Sequence, residues 1–211
     1  MSGLASPRLQ RLAQRAAAPA PGPPGPDAAE RCDVCGEPMA PVHRHIADLE
    51  QRRLLCACNA CRILFDRTAA GGDRFRLIPE RPRAVPGFVL DDAAWAALRI
   101  PVDMAFFFVS TPAGRVVALY PGPMGATESQ LDLAAWDDLV AANPVLERME
   151  PDVEALLVHR AGTARDHVIV PIDRAYALVG VIREHWNGLG GGNAVWREIA
   201  RFFEDLAKEA R

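Results

Sequence analysis

The chain is predicted to be an α+β protein: a small four-cysteine module of the zinc-ribbon or treble-clef kind, followed by a mixed, mainly antiparallel sheet with helices. Three observations carry this prediction. All five cysteines fall between Cys32 and Cys61, in a CDVC and a CACNAC stretch. Downstream, runs of β-forming residues come in pairs around short Gly-containing turns, as hairpins do. The helical periodicities stand apart from those hairpins instead of alternating with single strands, which argues against a doubly wound parallel sheet.

A length of 211 residues with 50% apolar content suits one ordinary core with a small appended module. No run approaches the roughly 18 uninterrupted apolar residues of a membrane span, and MSGLASPRLQRLAQR lacks the apolar stretch of a secretory signal. A cytoplasmic protein without membrane association is expected. Residues 31–76 hold eight Arg against six Asp/Glu, whereas residues 77–211 hold thirteen Arg/Lys against nineteen Asp/Glu. Four metal-bound thiolates would cancel the first excess. A general nucleic-acid binder needs a basic stripe that neutralises several phosphates, and this chain has none so dense.

Residues 1–30 read as a mobile arm and a Pro-rich linker. Arg8, Arg11 and Arg15 are at helical spacing, but the five prolines of PAPGPPGPD, Pro19 to Asp27, sustain neither helix nor ladder. Residues 31–70 are the cysteine module and 71–211 the α+β domain. Within the latter, RFRLIP (74–79) reads as a strand, and Asp91 caps a short helix through DAAWAAL. DMAFFFVST and RVVALYP form a hairpin around Pro112-Ala113-Gly114. A helix over 128–142 stops at Asn143-Pro144. EALLVHR and HVIVPI pair around Ala161-Gly162-Thr163. A helix capped by Asp173 runs to about Trp186, and a last amphipathic helix starts near Asn193.

Cys32-x-x-Cys35-Gly36 has the form of a knuckle: two thiolates reach one ion from a tight turn, and the glycine permits the positive φ that turn requires. Cys58-Asn-Ala-Cys61 supplies a second two-thiolate bite. In a reducing compartment, paired C-x-x-C motifs point to metal rather than to disulfides. The predicted ligands are Cys32, Cys35, Cys58 and Cys61. Between them, HRHIADLEQRRLLC alternates as a hairpin turning near Asp48 to Gln51, and RILFD looks helical. Knuckle, hairpin and a helix with the last ligand in its first turn make a treble clef. A strand in place of that helix would make a zinc ribbon.

Cys56 is the spare thiol. With the turn centred between Leu49 and Glu50, His43 lies across from Cys56 and His45 sits two residues along the same face. Cys56, His43 and His45 therefore either flank the four-cysteine centre, serve as alternative ligands, or form a second site. Three readings of the cysteines stay open: a closed structural zinc centre with Cys56 as a packed small hydrophobe, a rubredoxin-like iron centre, and a transient metal or thiol-exchange site. Four thiolates leave no open coordination position, so the centre by itself does not suggest hydrolysis.

The remaining motifs have plain explanations. GLGGGN, Gly188 to Asn193, follows a helix and lacks Lys-Ser/Thr, so it fails as a phosphate loop and reads as a helix stop with Asn193 as the next cap. YPGPMGATES, Tyr120 to Ser129, reads as a loop whose Thr127-Glu128-Ser129 caps the next helix. Asp152, Glu154, His159, His167, Asp173 and His185 share no catalytic spacing, and no Gly-x-Ser-x-Gly or His-Glu-x-x-His appears. Phe106-Phe107-Phe108 cannot all face one way in a strand: either both faces of that strand are covered, or one ring marks an interaction surface.

From Arg31 onward the chain resembles an uncharacterised bacterial family encoded beside actinobacterial-type, oxygen-tolerant [NiFe]-hydrogenases. The resemblance rests on RCDVCGEPMAPVHRHIADLEQRRLLCACNACRILF, IPVDMAFFF, ALYPGPMGATES, DVEALLVHR and PIDRAYALVGVIREHWNGLGGGNAVWREIARFF. It implies a hydrogenase gene neighbourhood, and from that a non-enzymatic accessory or maturation role through contact with a hydrogenase subunit or maturation protein. It carries over no catalytic residues. The resemblance leads us to expect a cysteine at position 175, where this chain has Ala175, which weakens a redox relay through the second domain. Zinc is the expected metal, with iron in a rubredoxin-like electron carrier as the alternative and a nucleic-acid-binding zinc module as the weaker one.

Overall fold

The computed structural model describes residues 30–65, 72, 74–188 and 190–210. The helical arm and proline-rich linker expected before residue 30 lie outside them. The remainder is α+β, with two antiparallel sheets and, among the described residues, five α-helices.

The first sheet has three strands. β1 (Arg44–Asp48) and β2 (Arg53–Ala57) form the expected hairpin, and α1 (Asn59–Phe65) follows directly. The strand expected at 74–79 is β3 (Phe75–Leu77). It pairs with β1, giving the order β2-β1-β3, so the sheet that carries the cysteine module continues past residue 70. Its two faces bury different things, as the period-2 alternation of a strand requires. Ile46, Leu55 and Ala57 pack with Cys32, Met39 and Cys61. On the other face, Ala47 packs into the main core, with Leu54 partly buried against it.

Asp48 ends β1 with its side chain fully buried. Its carboxylate accepts from Gln51 N at 3.1 Å and from Arg74 Nε and Nη2 at 3.2 and 2.8 Å. The Arg74 hydrogen bonds hold its pKa below the ordinary 3.8, outweighing burial, which acts the other way. A depressed folded pKa contributes stability that is present above the unfolded value and lost as pH falls through the folded one. Asp48→Asn is therefore expected to cost about 2 kcal/mol at pH 7, a difference that shrinks as pH drops below 3.8. Urea titrations of both proteins at the two pH values check this.

The second sheet has six strands in the order β4-β9-β8-β5-β6-β7. The strands are β4 (Arg83–Ala84), β5 (Met104–Ser110), β6 (Arg115–Gly122), β7 (Gly125–Ser129), β8 (Glu154–His159) and β9 (Asp166–Pro171). The hairpins expected around residues 112–114 and 161–163 are β5–β6 and β8–β9. Helices cover both faces. α4 (Ile172–His185) and α5 (Gly192–Glu209) bury Leu178, Ile182, Ile199 and Phe203 against Phe106 and Leu157. On the other face, α2 (Asp92–Ala97) and α3 (Leu133–Ala142) bury Trp95, Trp136 and Leu139 against Phe107 and Leu156. The phenylalanine run is thus a central strand: Phe106 and Phe107 are 0% exposed on opposite faces, and Phe108 is half-buried beside Phe106's cluster.

Three local readings need correction. Residues 125–129 are not the capping start of a helix; they form β7, paired with β6 up to Gly122↔Gly125, and the cap is Asp132, which accepts from Ala134 N and Ala135 N at 3.1 and 3.2 Å. Asn193 does not cap the last helix. That position falls to Gly191, in left-handed conformation at φ 79°, where a Cβ would lie 2.8 Å from Val195 Cγ1. Gly191→Ala is expected to destabilise by at least about 1 kcal/mol, read as a lowered melting temperature. Asp173 does not cap α4 either: Pro171 holds the cap position, and Asp173 lies in the first turn, where its Oδ1 accepts from Arg174 N at 2.8 Å.

Candidate metal centre

The knuckle is built by backbone hydrogen bonds: Gly36 N donates to Cys32 O at 2.8 Å and Cys32 N to Glu37 O at 2.9 Å. Gly36 closes the turn at φ 77°, as its position after the second cysteine predicts. Cys58 precedes α1, and its carbonyl accepts from Arg62 N at 2.9 Å, which places Cys61 in the first helical turn. Knuckle, hairpin and helix follow in the treble-clef order.

These elements bring Cys32, Cys35, Cys58 and Cys61 together, with all four Sγ atoms within 4.8 Å of one another. Cys35 Sγ and Cys58 Sγ are 3.6 Å apart. That is far beyond the roughly 2.05 Å of a disulfide. It is close to the edge of about 3.8 Å that a tetrahedron with 2.3 Å metal–sulfur bonds requires. The cluster can hold a metal ion.

Its electrostatics bear on how it could hold one. Burial pushes the Cys32 thiol up, but the N–H groups of Cys58, Cys35 and Val34 point at its sulfur and bring it down to about 6. Cys32 is therefore largely thiolate at neutral pH. Cys61 moves the opposite way, raised by burial and by sharing protons with the other three sulfurs. Cys35 receives the Glu37 N–H, which lowers its pKa, but its contacts with Cys32 and Cys58 outweigh this and leave it raised. The sulfurs thus share protons among themselves, and a cation at their centre would let all four ionise.

Cys56 stands outside the set of four. It is half-buried, and its pKa is raised by burial and by the carboxylates of Asp33 and Glu30. Asp33 brackets its backbone: Asp33 Oδ2 accepts from Cys56 N at 2.6 Å, and Asp33 N donates to Cys56 O at 2.9 Å. The expected register is corrected by two residues, since His45 rather than His43 lies across from Cys56. The shift is even, so the shared face survives and His43, His45 and Cys56 do converge. Sequence spacing missed Asp173, whose Oδ2 accepts from His45 Nδ1 at 2.8 Å across 128 residues of chain.

The scattered acids and bases are satisfied separately. His159 meets Asp166 at 3.1 Å and stacks on Phe203. Glu154 accepts from Arg83. Asp152 accepts from Thr111 N and Oγ1. His167 stacks on Phe88, and His185 Nδ1 donates to Val181 O at 3.0 Å. Among the described residues, no helix is long and apolar enough to cross a membrane.

No curated protein and no solved structure matches the chain. A family model does, over residues 31–210, from the start of the knuckle to the end of α5, and on that match the chain belongs to the family of unknown function DUF5947.

Proposed function

We propose that the chain is a non-enzymatic, metal-binding accessory protein whose Cys32, Cys35, Cys58 and Cys61 hold a structural zinc. It would serve the assembly or maturation of a [NiFe]-hydrogenase through protein–protein contact in the cytoplasm. The convergence of the four sulfurs, within 4.8 Å of one another, carries the metal-binding part of the reading. A four-thiolate centre has no vacancy for substrate, which favours a structural over a catalytic ion. The hydrogenase part rests on the sequence resemblance alone.

Two features bear on the alternatives. Cys35 is exposed, which favours an iron centre in so far as an electron carrier needs an edge near solvent. Against it, a helix replaces the second knuckle of a rubredoxin. A nucleic-acid module is disfavoured because several of its cations are engaged: Arg44 and Arg62 pair with Glu80, and Arg74 with Asp48. For a partner, the sheet leaves the β6–β7 tip, where Met124 is 94% exposed.

A tagged pull-down from hydrogenase-expressing cells, with elemental analysis of the purified protein, tests the reading. Colourless protein with tightly held zinc and a co-purifying hydrogenase subunit or maturation protein is expected. Red protein with thiolate-to-iron absorption would replace zinc by the iron carrier, and absence of any hydrogenase component would remove the assigned pathway.

A further inference from the structure

We propose that His43, His45 and Cys56 form a second metal site, distinct from the four-cysteine centre, which takes a borderline divalent cation of the zinc type and leaves one coordination position open. Each of the three residues offers a ligand atom, and these atoms lie within 4.8 Å of one another. A tetrahedral ion with imidazole and thiolate ligands needs them about 3.5 Å apart. Small side-chain rotations close that difference.

The hydrogen bonds decide which nitrogens face the ion. His43 Nδ1 lies 3.1 Å from the Ala40 carbonyl oxygen. A carbonyl only accepts, so Nδ1 carries the proton and Nε2 presents a bare lone pair. Among the described residues that Nε2 has no hydrogen-bond partner, and it is buried on a side chain only 10% exposed. A buried polar atom left unpaired is costly, and a cation in the cluster satisfies it. His45 follows the same logic: Nδ1 donates to the Asp173 carboxylate at 2.8 Å, which leaves Nε2 to ligate. A carboxylate behind a histidine is the usual way a protein orients and strengthens an imidazole ligand.

The third ligand is placed by register. Cys56 sits directly across the hairpin from His45, and Asp33 fixes its backbone. The two imidazole rings meet edge to face, with centroids 5.1 Å apart, so neither covers the other's nitrogen by stacking. The His45 side chain is 32% exposed, and solvent or an incoming ligand can enter there. Two nitrogens and one thiolate suit zinc, cobalt or nickel rather than magnesium or calcium. Three protein ligands with an open position describe an exchangeable or reactive ion, unlike the closed centre beside it. Asp173 belongs to α4, so the site also ties the cysteine module to the larger sheet's helical layer.

The test is a titration of the full-length protein with Zn²⁺, and separately Co²⁺, after the tightly held ion has been quantified. Wild type is expected to take a second equivalent, with cobalt giving tetrahedral d–d bands and sulfur-to-cobalt charge transfer. Cys56→Ser and His43→Ala are expected to lose that second equivalent and retain the first. Asp173→Asn keeps all three ligands and is expected to weaken the second ion about 10–100-fold without altering the first, a change that a merely structural Asp173 would not produce. Saturation at one equivalent in wild type overturns the proposal. So does a second ion that survives both ligand variants. Loss of both ions in Cys56→Ser would make Cys56 a ligand of the first centre and would also overturn it. The four-sulfur centre is read from the first equivalent, so either site can fail without the other.

Discussion

Stripping the proposed ion from Cys32, Cys35, Cys58 and Cys61 is expected to unfold residues 30–65 while the six-stranded sheet stays folded. Among the described residues the cluster beneath the cysteines contains six buried residues, Cys32, Met39, Ile46, Leu55, Ala57 and Cys61, two of which are proposed ligands. A core of that size does not repay the chain entropy of ordering the segment. Thiolate-bound zinc, the proposed ion, would contribute on the order of 10 kcal/mol of folding free energy, so removing it would decide the outcome. The larger sheet has its own cores on both faces, centred on Phe106 and Leu157 on one side and Phe107 and Leu156 on the other. Hydrogen exchange after treatment with a thiol-reactive mercurial and a chelator separates the two regions. Amides of Ile46 and Leu55 should lose protection, and those of Leu156 and Leu157 should keep it.

Phe107→Ala is expected to cost about 3–5 kcal/mol, a large share of the 5–15 kcal/mol typical of a whole domain. Phe107 is 0% exposed. Its ring stacks on Trp136 with centroids 5.3 Å apart and meets Trp95 edge-on at 6.3 Å. Truncation leaves a cavity between β5, α2 and α3 that two rigid indoles cannot collapse into. Phe108→Ala, at a half-buried position beside the groove lined by Leu54, Leu119 and Tyr176, should cost about 1 kcal/mol. Urea midpoints at constant m-value check the pair. Equal effects would mean that Phe108 is covered as fully as Phe107, contrary to its half-buried position.

Where sequence reading succeeded, the information was local. Two C-x-x-C pairs, a glycine after the second thiol and a helix-forming RILF run are sufficient to draw the treble-clef order, because each feature sets its own backbone conformation. The hairpins around Gly114 and Gly162 were legible for the same reason, with φ values of 64° and 61° at those glycines. The failures needed information from elsewhere in the chain. The hairpin register slipped because Asp48 stays in the ladder, paired with Arg53 and held by Arg74, so the turn uses residues 49–52 with Arg52 at φ 50°. β7 was hidden by the prolines and glycines of YPGPMGATES; an edge strand tolerates them, and the exposed edge of β6 supplied a partner. Asp173 satisfied every local rule for a cap, yet Pro171 takes that position, and while Asp173 Oδ1 accepts from Arg174 N, its Oδ2 is held by a histidine 128 residues away. The alternation of Phe106, Phe107 and Phe108 was visible, but which faces are covered depends on four helices packed on the sheet.

X-ray absorption at the metal edge of the Cys56→Ser protein, purified with its tightly held ion, tests the central claim most directly, because that substitution removes the neighbouring thiol and leaves the four proposed ligands intact. One ion per chain surrounded by four sulfur scatterers at about 2.3 Å is the expected result. Nitrogen or oxygen in that coordination sphere, or protein that carries no metal, would contradict it.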